Sequence, residues 1–225
     1  GHFHADLAGE VVDRFGGFDA LGDHAHLGQD FLELQTLADF FAEYEALVQD
    51  IDEKTAAPAQ SEGGPGRCGR ESDACCKRHF SIKLIEALYL SNKMNTTMKS
   101  TERREAISRA AHVFQRFRAL VRDNPSSERQ NEMDDLYVLG DLICPLNVDG
   151  KCVLYDYRPI RCRLDGLPED VVDFCLIEDI LSNISRNVFF VLSGVFPGKE
   201  ELLFSCPDTI SGRFVQVYFY YLASL

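Results

Sequence analysis

Eight cysteines, at positions 68, 75, 76, 144, 152, 162, 175 and 206, are the residues of this chain best suited to chemistry. Thiolates are soft ligands for zinc and iron, and four of them complete a tetrahedral shell. Seven fall in two blocks, Cys68, Cys75 and Cys76 before a central helical pair and Cys144, Cys152, Cys162 and Cys175 after it, so folding can bring the blocks together. An even count also suits four disulfides in a secreted domain. A long chain with several amphipathic helices needs no such staples, and the clustering, including the adjacent pair Cys75 and Cys76, points instead to metal ligation in a reducing cytoplasm. A structural zinc contributes about 10–16 kcal/mol on binding, against about 2–4 kcal/mol for a disulfide. Adjacent residues project their side chains apart, so Cys75 and Cys76 can serve two neighbouring ions or one ion plus a bridge. One ion held by four thiolates is the simpler arrangement.

The second block carries more information. Its core runs Cys152, Val153, Leu154, Tyr155, Asp156, Tyr157, Arg158, Pro159, Ile160, Arg161, Cys162, Arg163. Pro159 presets φ for a helical turn, which places Cys162 in a first turn where unpaired N–H groups favour a thiolate. Arg158, Arg161 and Arg163 either neutralise a thiolate-rich centre or pair with surface carboxylates.

In these residues the sequence resembles the YkgJ-type cysteine-cluster family of zinc- or iron-chelating CxxCxxCC proteins. Cys75-Cys76 matches that family's Cys-Cys dipeptide, Cys144-Pro145-Leu146 looks like its C-P-x-L element, and residues 152–163 follow C-x-I-Y-x-x-R-P-x-x-C-R. The likeness spans residues 68–175 in outline and is dense over 144–163. It implies a metal site drawn from Cys68, Cys75, Cys76, Cys144, Cys152, Cys162 and Cys175. The chain departs from the pattern at Asn147, where Leu is expected, and at Gly69 and Ser72, where Cys is expected. Cys68 stands one position early. Cys175 resembles a downstream cysteine of such proteins and would restore the count, whereas Cys206 reads as an ordinary half-buried thiol.

Histidines offer further donors. His2 and His4, and His24 and His26, share a spacing that sets two imidazoles on one side of an extended strand, and His79 follows Cys76 by three residues as an auxiliary ligand or a surface residue. His112 reads as a boundary residue of a helix.

The elements that must position these groups are mainly helical. The expected fold is a mainly α domain with a small β-hairpin and a cysteine-ligated metal site. From an N-cap at Asp30, Phe31, Leu34, Ala38, Phe41, Tyr44 and Val48 recur at helical steps. Residues 55–67 hold two Pro and three Gly and read as a linker. The division is thus a helical arm over 1–54, a linker over 55–67 and the cysteine-cluster domain over 68–225, the arm packing separately or serving a protein partner or homodimer. Ser81 and Ser100 are candidate caps of two central helices, the second with a stripe of Ile107, Ala110, Phe114, Phe117 and Val121. Asp149-Gly150 marks a hairpin turn. A helix is expected from Pro168 onward through Val171, Phe174, Ile177, Leu181, Ile184, Val188 and Val191. A last one carries Ile210, Phe214, Val217, Tyr221 and Leu225.

Composition narrows function. The net charge of −13 opposes phosphate and acidic membrane surfaces, so nucleic acid and membrane partners are disfavoured. The longest apolar run is far short of a bilayer span, and no signal peptide is visible. Between residues 93 and 122, eight basic residues face two acidic ones, a local +6 against −19 elsewhere. The simplest partner for it is the acidic N-terminal arm of the same chain. No nucleophile elbow, P-loop, dinucleotide fingerprint or zinc-protease motif occurs. The first reading is therefore a cytoplasmic protein chelating zinc or iron in a structural, metal-handling or sensing role. The alternatives are a metalloenzyme with an iron or iron-sulfur centre, oxidoreductase or protein-methylase-like, and a helical interaction module stapled by metal.

Overall fold

A computed structural model describes residues 27–60, 64, 66–124, 130–168 and 170–225. The four histidines at positions 2, 4, 24 and 26 lie outside these residues. Among the described residues the chain is mainly α, with eight α-helices and two short antiparallel strand pairs.

Helix α1 (Leu27–Gln60) is longer than the periodicity suggests. It continues through 55–60, which had read as the start of a linker, with Pro58 in its last turn where the helix is about to end. Thr55 and Ala59 are buried there, and Thr55 Oγ1 donates to the Ile51 carbonyl at 2.8 Å. The arm does not stand apart. Its Tyr44 and Ile51 are each 1% exposed and belong to the same core as the later helices, because α1 packs on α2, α5 and α6. Tyr44 meets the Tyr89 ring at 4.9 Å, and Glu45 accepts from the Tyr89 hydroxyl at 2.8 Å.

The centre of the molecule is α2 (Leu84–Thr97), whose first two turns are buried on nearly every side, unlike an amphipathic surface helix. Its start differs from the expected cap at Ser81. That residue lies in strand β1 (Ser81–Lys83), and Lys83 is the N-cap, its N–H donating to Glu86 Oε2 at 3.0 Å. Strand β1 pairs with β4 (Leu203–Ser205), so Ile82 lies opposite Phe204, and both are buried. A three-residue strand is too short to show alternation in the sequence.

In α3 (Ser100–Asp123) the N-cap is Lys99 rather than Ser100, with Glu102 accepting its N–H at 3.3 Å. The buried face is Ala106, Ala110 and Val113, while Ile107 is 38% exposed. The expected stripe is thus rotated toward solvent. Helix α3 packs on α7 (Cys206–Ile210), and its buried face carries two small alanines in place of the larger residues next to them. Helix α4 (Gln130–Leu139) had no sequence-level counterpart. Strands β2 (Asn147–Val148) and β3 (Lys151–Cys152) form the expected hairpin about Asp149 and Gly150, which have φ of 52° and 78°. Two positive φ values in a two-residue loop match the right-handed twist of the strands. Short helix α5 is Ile160–Leu164. Helix α6 (Phe174–Ser193) begins later than Pro168, because Asp173 is its cap and accepts from Leu176 N at 3.0 Å. It buries Ile177, Leu181, Ile184, Val188 and Phe189. The last helix is two, α7 and α8 (Phe214–Ala223), broken at Gly212 with φ of 79°. No helix of the described residues is long and apolar enough to cross a membrane.

One side chain ties these pieces together. Glu86, 3% exposed, accepts from Lys83 N with one oxygen and from Ile160 N with the other, both at 3.0 Å, so a single carboxylate caps both α2 and α5. Burial raises its pKa above the ordinary carboxylate range, against the pull of those two donors. An amide at this position presents one acceptor and one donor group to two N–H donors. Glu86→Gln is therefore expected to destabilise the fold by about 1–3 kcal/mol, one buried N–H being left without an acceptor, read as a lower thermal midpoint.

Candidate metal centre

The cysteine blocks reach each other through short, locally determined elements. Cys75 and Cys76 sit on a 3-10 turn (Ala74–Lys77). Cys144 follows α4, and its N–H donates to the Cys76 carbonyl at 2.7 Å, fixing the two blocks by a main-chain bond. Cys152 ends β3, and its N–H donates to the Gly69 carbonyl at 2.9 Å. Cys162 lies in the first turn of α5, its N–H bonded to the Pro159 carbonyl at 3.0 Å. Cys206 opens α7 behind a cap in which Ser205 Oγ accepts from Asp208 N at 3.1 Å.

These elements converge on one enclosed cavity of about 20 Å³, lined by Cys75, Cys76, Cys144, Cys152, Cys162 and Cys206 together with Leu90, Leu146, Arg158 and Pro159. That volume holds one water-sized body. Cys68, Cys75 and Cys76 form a second, tighter group, with all three sulfurs within 4.8 Å of one another. Sulfurs at such separations can share an ion, and the set is buried from solvent.

Two observations bear on the expected ligands. Cys68 and Cys75 are joined as a disulfide, with Cα atoms 6.1 Å apart, although the clustering of the cysteines points to ligation rather than cross-linking. The loop between them folds back on itself, Gly69 N donating to the Ser72 carbonyl at 2.6 Å, which lays Cys68 over the 3-10 turn. In this bonded state neither sulfur is a thiolate donor. Cys175 is exposed in the first turn of α6 and is not among the residues lining the cavity. Conversely Cys206, read from sequence as an ordinary thiol, is 8% exposed and lies in the cavity wall. It follows the segment 68–175 in which the motif likeness was found, so spacing offered no signal for it.

Gly69 stands where a cysteine was expected, and packing accounts for it. Its φ is 94°, and a Cβ there would lie 2.9 Å from Cys152 Cβ and 3.2 Å from the Tyr155 ring. Asn147, the other departure, turns its Oδ1 to accept from Gly150 N at 3.0 Å. Its Nδ2 is buried with no hydrogen-bond partner. Cys76 is the sulfur beside it, and a thiolate there supplies an acceptor.

The electrostatics are those of a thiol-rich interior. A hydrogen bond from Cys144 brings the Cys76 thiol down to about 7, against the effect of its own burial, and the Asn147 amide adds to the lowering. The same contact, with burial and the charges of Cys206, Cys76 and Cys152, drives Cys144 well up. Burial pushes Cys152 up to about 11 and Cys162 well above its ordinary value, the next largest influence on Cys162 being Cys206. Burial likewise raises Cys206. A bound cation would reverse these shifts, because its charge stabilises the thiolate form of each sulfur that it meets.

The arginines divide their work. Arg158 is 5% exposed and lines the cavity, its guanidinium 3.7 Å from the Tyr155 ring centre and its NH1 donating to the Cys68 carbonyl. Arg163 is buried and turned away, donating to Asp52 of α1 and to the Arg158 carbonyl at 3.0 Å. Arg161 pairs at the surface with Glu178 at 3.3 Å. One positive charge therefore faces the sulfurs. His79 is buried against Phe117, with ring centres 4.6 Å apart, and does not line the cavity, while His112 is exposed. Of the basic segment, Lys93 reaches the arm through Glu45 at 2.9 Å, whereas Arg109 and Arg116 bond the carbonyls of Pro145 and Gly140.

No family model matches the sequence, and neither the curated proteins nor the solved structures include one that matches it.

Thiol accessibility follows from this arrangement. Alkylation of the unreduced protein followed by peptide mapping is expected to modify Cys175 first and to recover Cys68 and Cys75 linked until a reductant is added. Gly69→Ala forces a side chain into the left-handed region and against Cys152, and is expected to cost about 1–2 kcal/mol and to speed alkylation of Cys152.

Proposed function

We propose that this protein binds a zinc or iron ion in its cysteine cavity and that the site serves a structural or metal-handling role. The observation that carries the reading is the convergence of six cysteines, from the 3-10 turn, the segment before β2, β3, α5 and α7, on one cavity with room for a single small body. Five of those six are free thiols. The orphaned Nδ2 of Asn147 and the guanidinium of Arg158 fit an anionic set of sulfurs, as donors that offset part of its charge. The resemblance to the YkgJ-type cysteine-cluster family supports the same reading, since five of the seven cysteines that it implies, Cys75, Cys76, Cys144, Cys152 and Cys162, line the cavity.

Cys144, Cys152 and Cys162 hold the ion, with Cys76 beside them. Cys68 and Cys75 become additional donors when their disulfide is reduced. The walls of Leu90, Leu146 and Pro159 leave no space for a substrate next to the ion, which favours a closed thiolate shell over a catalytic centre with an open position. Such a shell would stabilise a hairpin of two-residue strands that has little core of its own.

Anaerobic purification under reducing conditions, with elemental analysis and an absorbance spectrum, tests this. Stoichiometric zinc in a colourless protein, or iron with a visible charge-transfer band, is expected. Cys144→Ser and Cys162→Ser are expected to lose the ion on dialysis, and Cys175→Ser to keep it. Wild-type protein that retains no metal under these conditions overturns the proposal.

A further inference from the structure

The disulfide and the cavity share a residue. Cys75 is bonded to Cys68 and also lines the cavity wall, and Cys76, next in the chain, lines it too. The sulfurs of Cys68, Cys75 and Cys76 all lie within 4.8 Å of one another. Sulfurs bound at about 2.3 Å to one tetrahedral ion stand about 3.8 Å apart, a separation this group can meet. A sulfur in a disulfide carries no thiolate charge, however, and cannot serve a cation at the same time. Two of the three donors are therefore present or absent together.

The positions of these residues do not depend on the cross-link alone. Cys75 and Cys76 stand on the 3-10 turn, where Cys76 N donates to the Asp73 carbonyl at 2.9 Å. The Cys144 N–H holds the Cys76 carbonyl, and the Arg158 guanidinium holds the Cys68 carbonyl. Between the two cysteines, Gly69 donates to the Ser72 carbonyl and its own carbonyl accepts from Cys152 N, so hydrogen bonds close the loop as well as sulfur does. Cleaving the S–S bond thus leaves the three side chains on the same frame.

We propose that the Cys68–Cys75 disulfide is a redox gate on the metal centre. Reduced by a dithiol, it adds two donors beside Cys76 and the ion is held; reoxidised, it withdraws them and the ion is released. The inference rests on the cavity being a metal site. A thiolate of the dithiol attacks Cys75 Sγ, the S–S bond breaks, and its electron pair passes to Cys68 Sγ, toward which the Cys75 N–H points at 3.1 Å. The second thiol of the reductant then displaces Cys75, so two electrons and two protons pass to the protein and the reductant leaves as a disulfide. The ion takes the place of the thiol protons. In the reverse direction a disulfide oxidant accepts the two electrons, Cys68 and Cys75 rejoin, and the ion departs. Both sulfurs are buried, whereas Arg70, Glu71 and Ala74 on the loop between them are exposed, so exchange requires opening of this surface loop rather than of the core.

The test compares the full-length chain in two states, as the disulfide and after anaerobic reduction by a dithiol that is then removed. Each is titrated with Zn(II) and, separately, with Fe(II) against a chromophoric chelator. The reduced protein is expected to bind one equivalent about a hundredfold more tightly than the disulfide form, since the loss even of a residue that orients a ligand costs about 10–100-fold. Adding a small-molecule disulfide to the loaded protein is expected to release the ion in step with formation of the Cys68–Cys75 link, one ion per link, read by peptide mapping. Cys68→Ser removes the cross-link and leaves every cavity-lining cysteine in place, and is expected to bind the ion with the same affinity before and after treatment with the dithiol. Equal affinity in the two states of the wild-type protein, or release that follows a different cysteine pair, overturns this inference and leaves the metal site standing. Both readings come from wild-type protein, whose folding no substitution puts at risk. A folded Cys68→Ser protein that still needs the dithiol to bind the ion overturns it likewise. Wild-type protein that binds neither Zn(II) nor Fe(II) in either state overturns both.

Discussion

A buried carboxylate must find donors or lose its charge, and Glu86 meets that constraint with two N–H groups from different parts of the chain. Because one donor begins α2 and the other begins α5, the central helix and the turn that carries Cys162 are held in fixed relation. Lys83, whose own N–H supplies the first bond, sends its ammonium to Glu178 of α6 at 3.1 Å and to Glu201. The strand pair β1–β4, the start of α2 and the second turn of the long helix α6 are thus tied together through one buried ammonium and two partly exposed carboxylates. Misplacing α5 by a small amount would remove Cys162 from the sulfur cavity, so the geometry of the candidate centre depends on a residue that is not itself a ligand.

Arg158 plays a comparable part on the other side. Its guanidinium lies over Tyr155, bonds the carbonyls of Tyr155 and Cys68, and faces the thiols. It joins the two cysteine blocks through the main chain of the first and presents a positive charge to the sulfurs of both. A second arginine, Arg70, meets the opposite concern at the surface, approaching the same Tyr155 ring at 3.8 Å and pairing with Asp156. The Tyr155 ring therefore meets two guanidinium groups, of which Arg158 also lines the sulfur cavity. Burial, and after it the charges of neighbouring thiols, raises the pKa values of Cys152 and Cys162.

The disulfide between Cys68 and Cys75 belongs to the same environment. The loop that contains Gly69 must pass close to Cys152, and that passage brings Cys68 within bonding distance of Cys75 as well as within ligand distance of Cys76. A dithiol here has two uses, as a cross-link or as a pair of donors, and the redox state of its surroundings selects between them.

Much of the local structure was legible in residue order alone: the helical class, the hairpin at Asp149-Gly150, and the turn after Pro159 that positions Cys162. These are short-range consequences of φ preferences and turn chemistry, which neighbouring residues suffice to specify. Other features depended on contacts between distant segments. The face that α3 buries, with Ala106, Ala110 and Val113, depends on the distant helices it packs against, and the pairing of β1 with β4 joins residues more than a hundred positions apart. The joining of Cys68 to Cys75 and the arrival of Cys206 in the cavity, with Cys175 left outside, were likewise set by packing. Spacing reports which residues can chelate together when they are near in sequence, but only the folded chain decides which sulfurs share a space, because burial and proximity are properties of the whole core rather than of any segment in it.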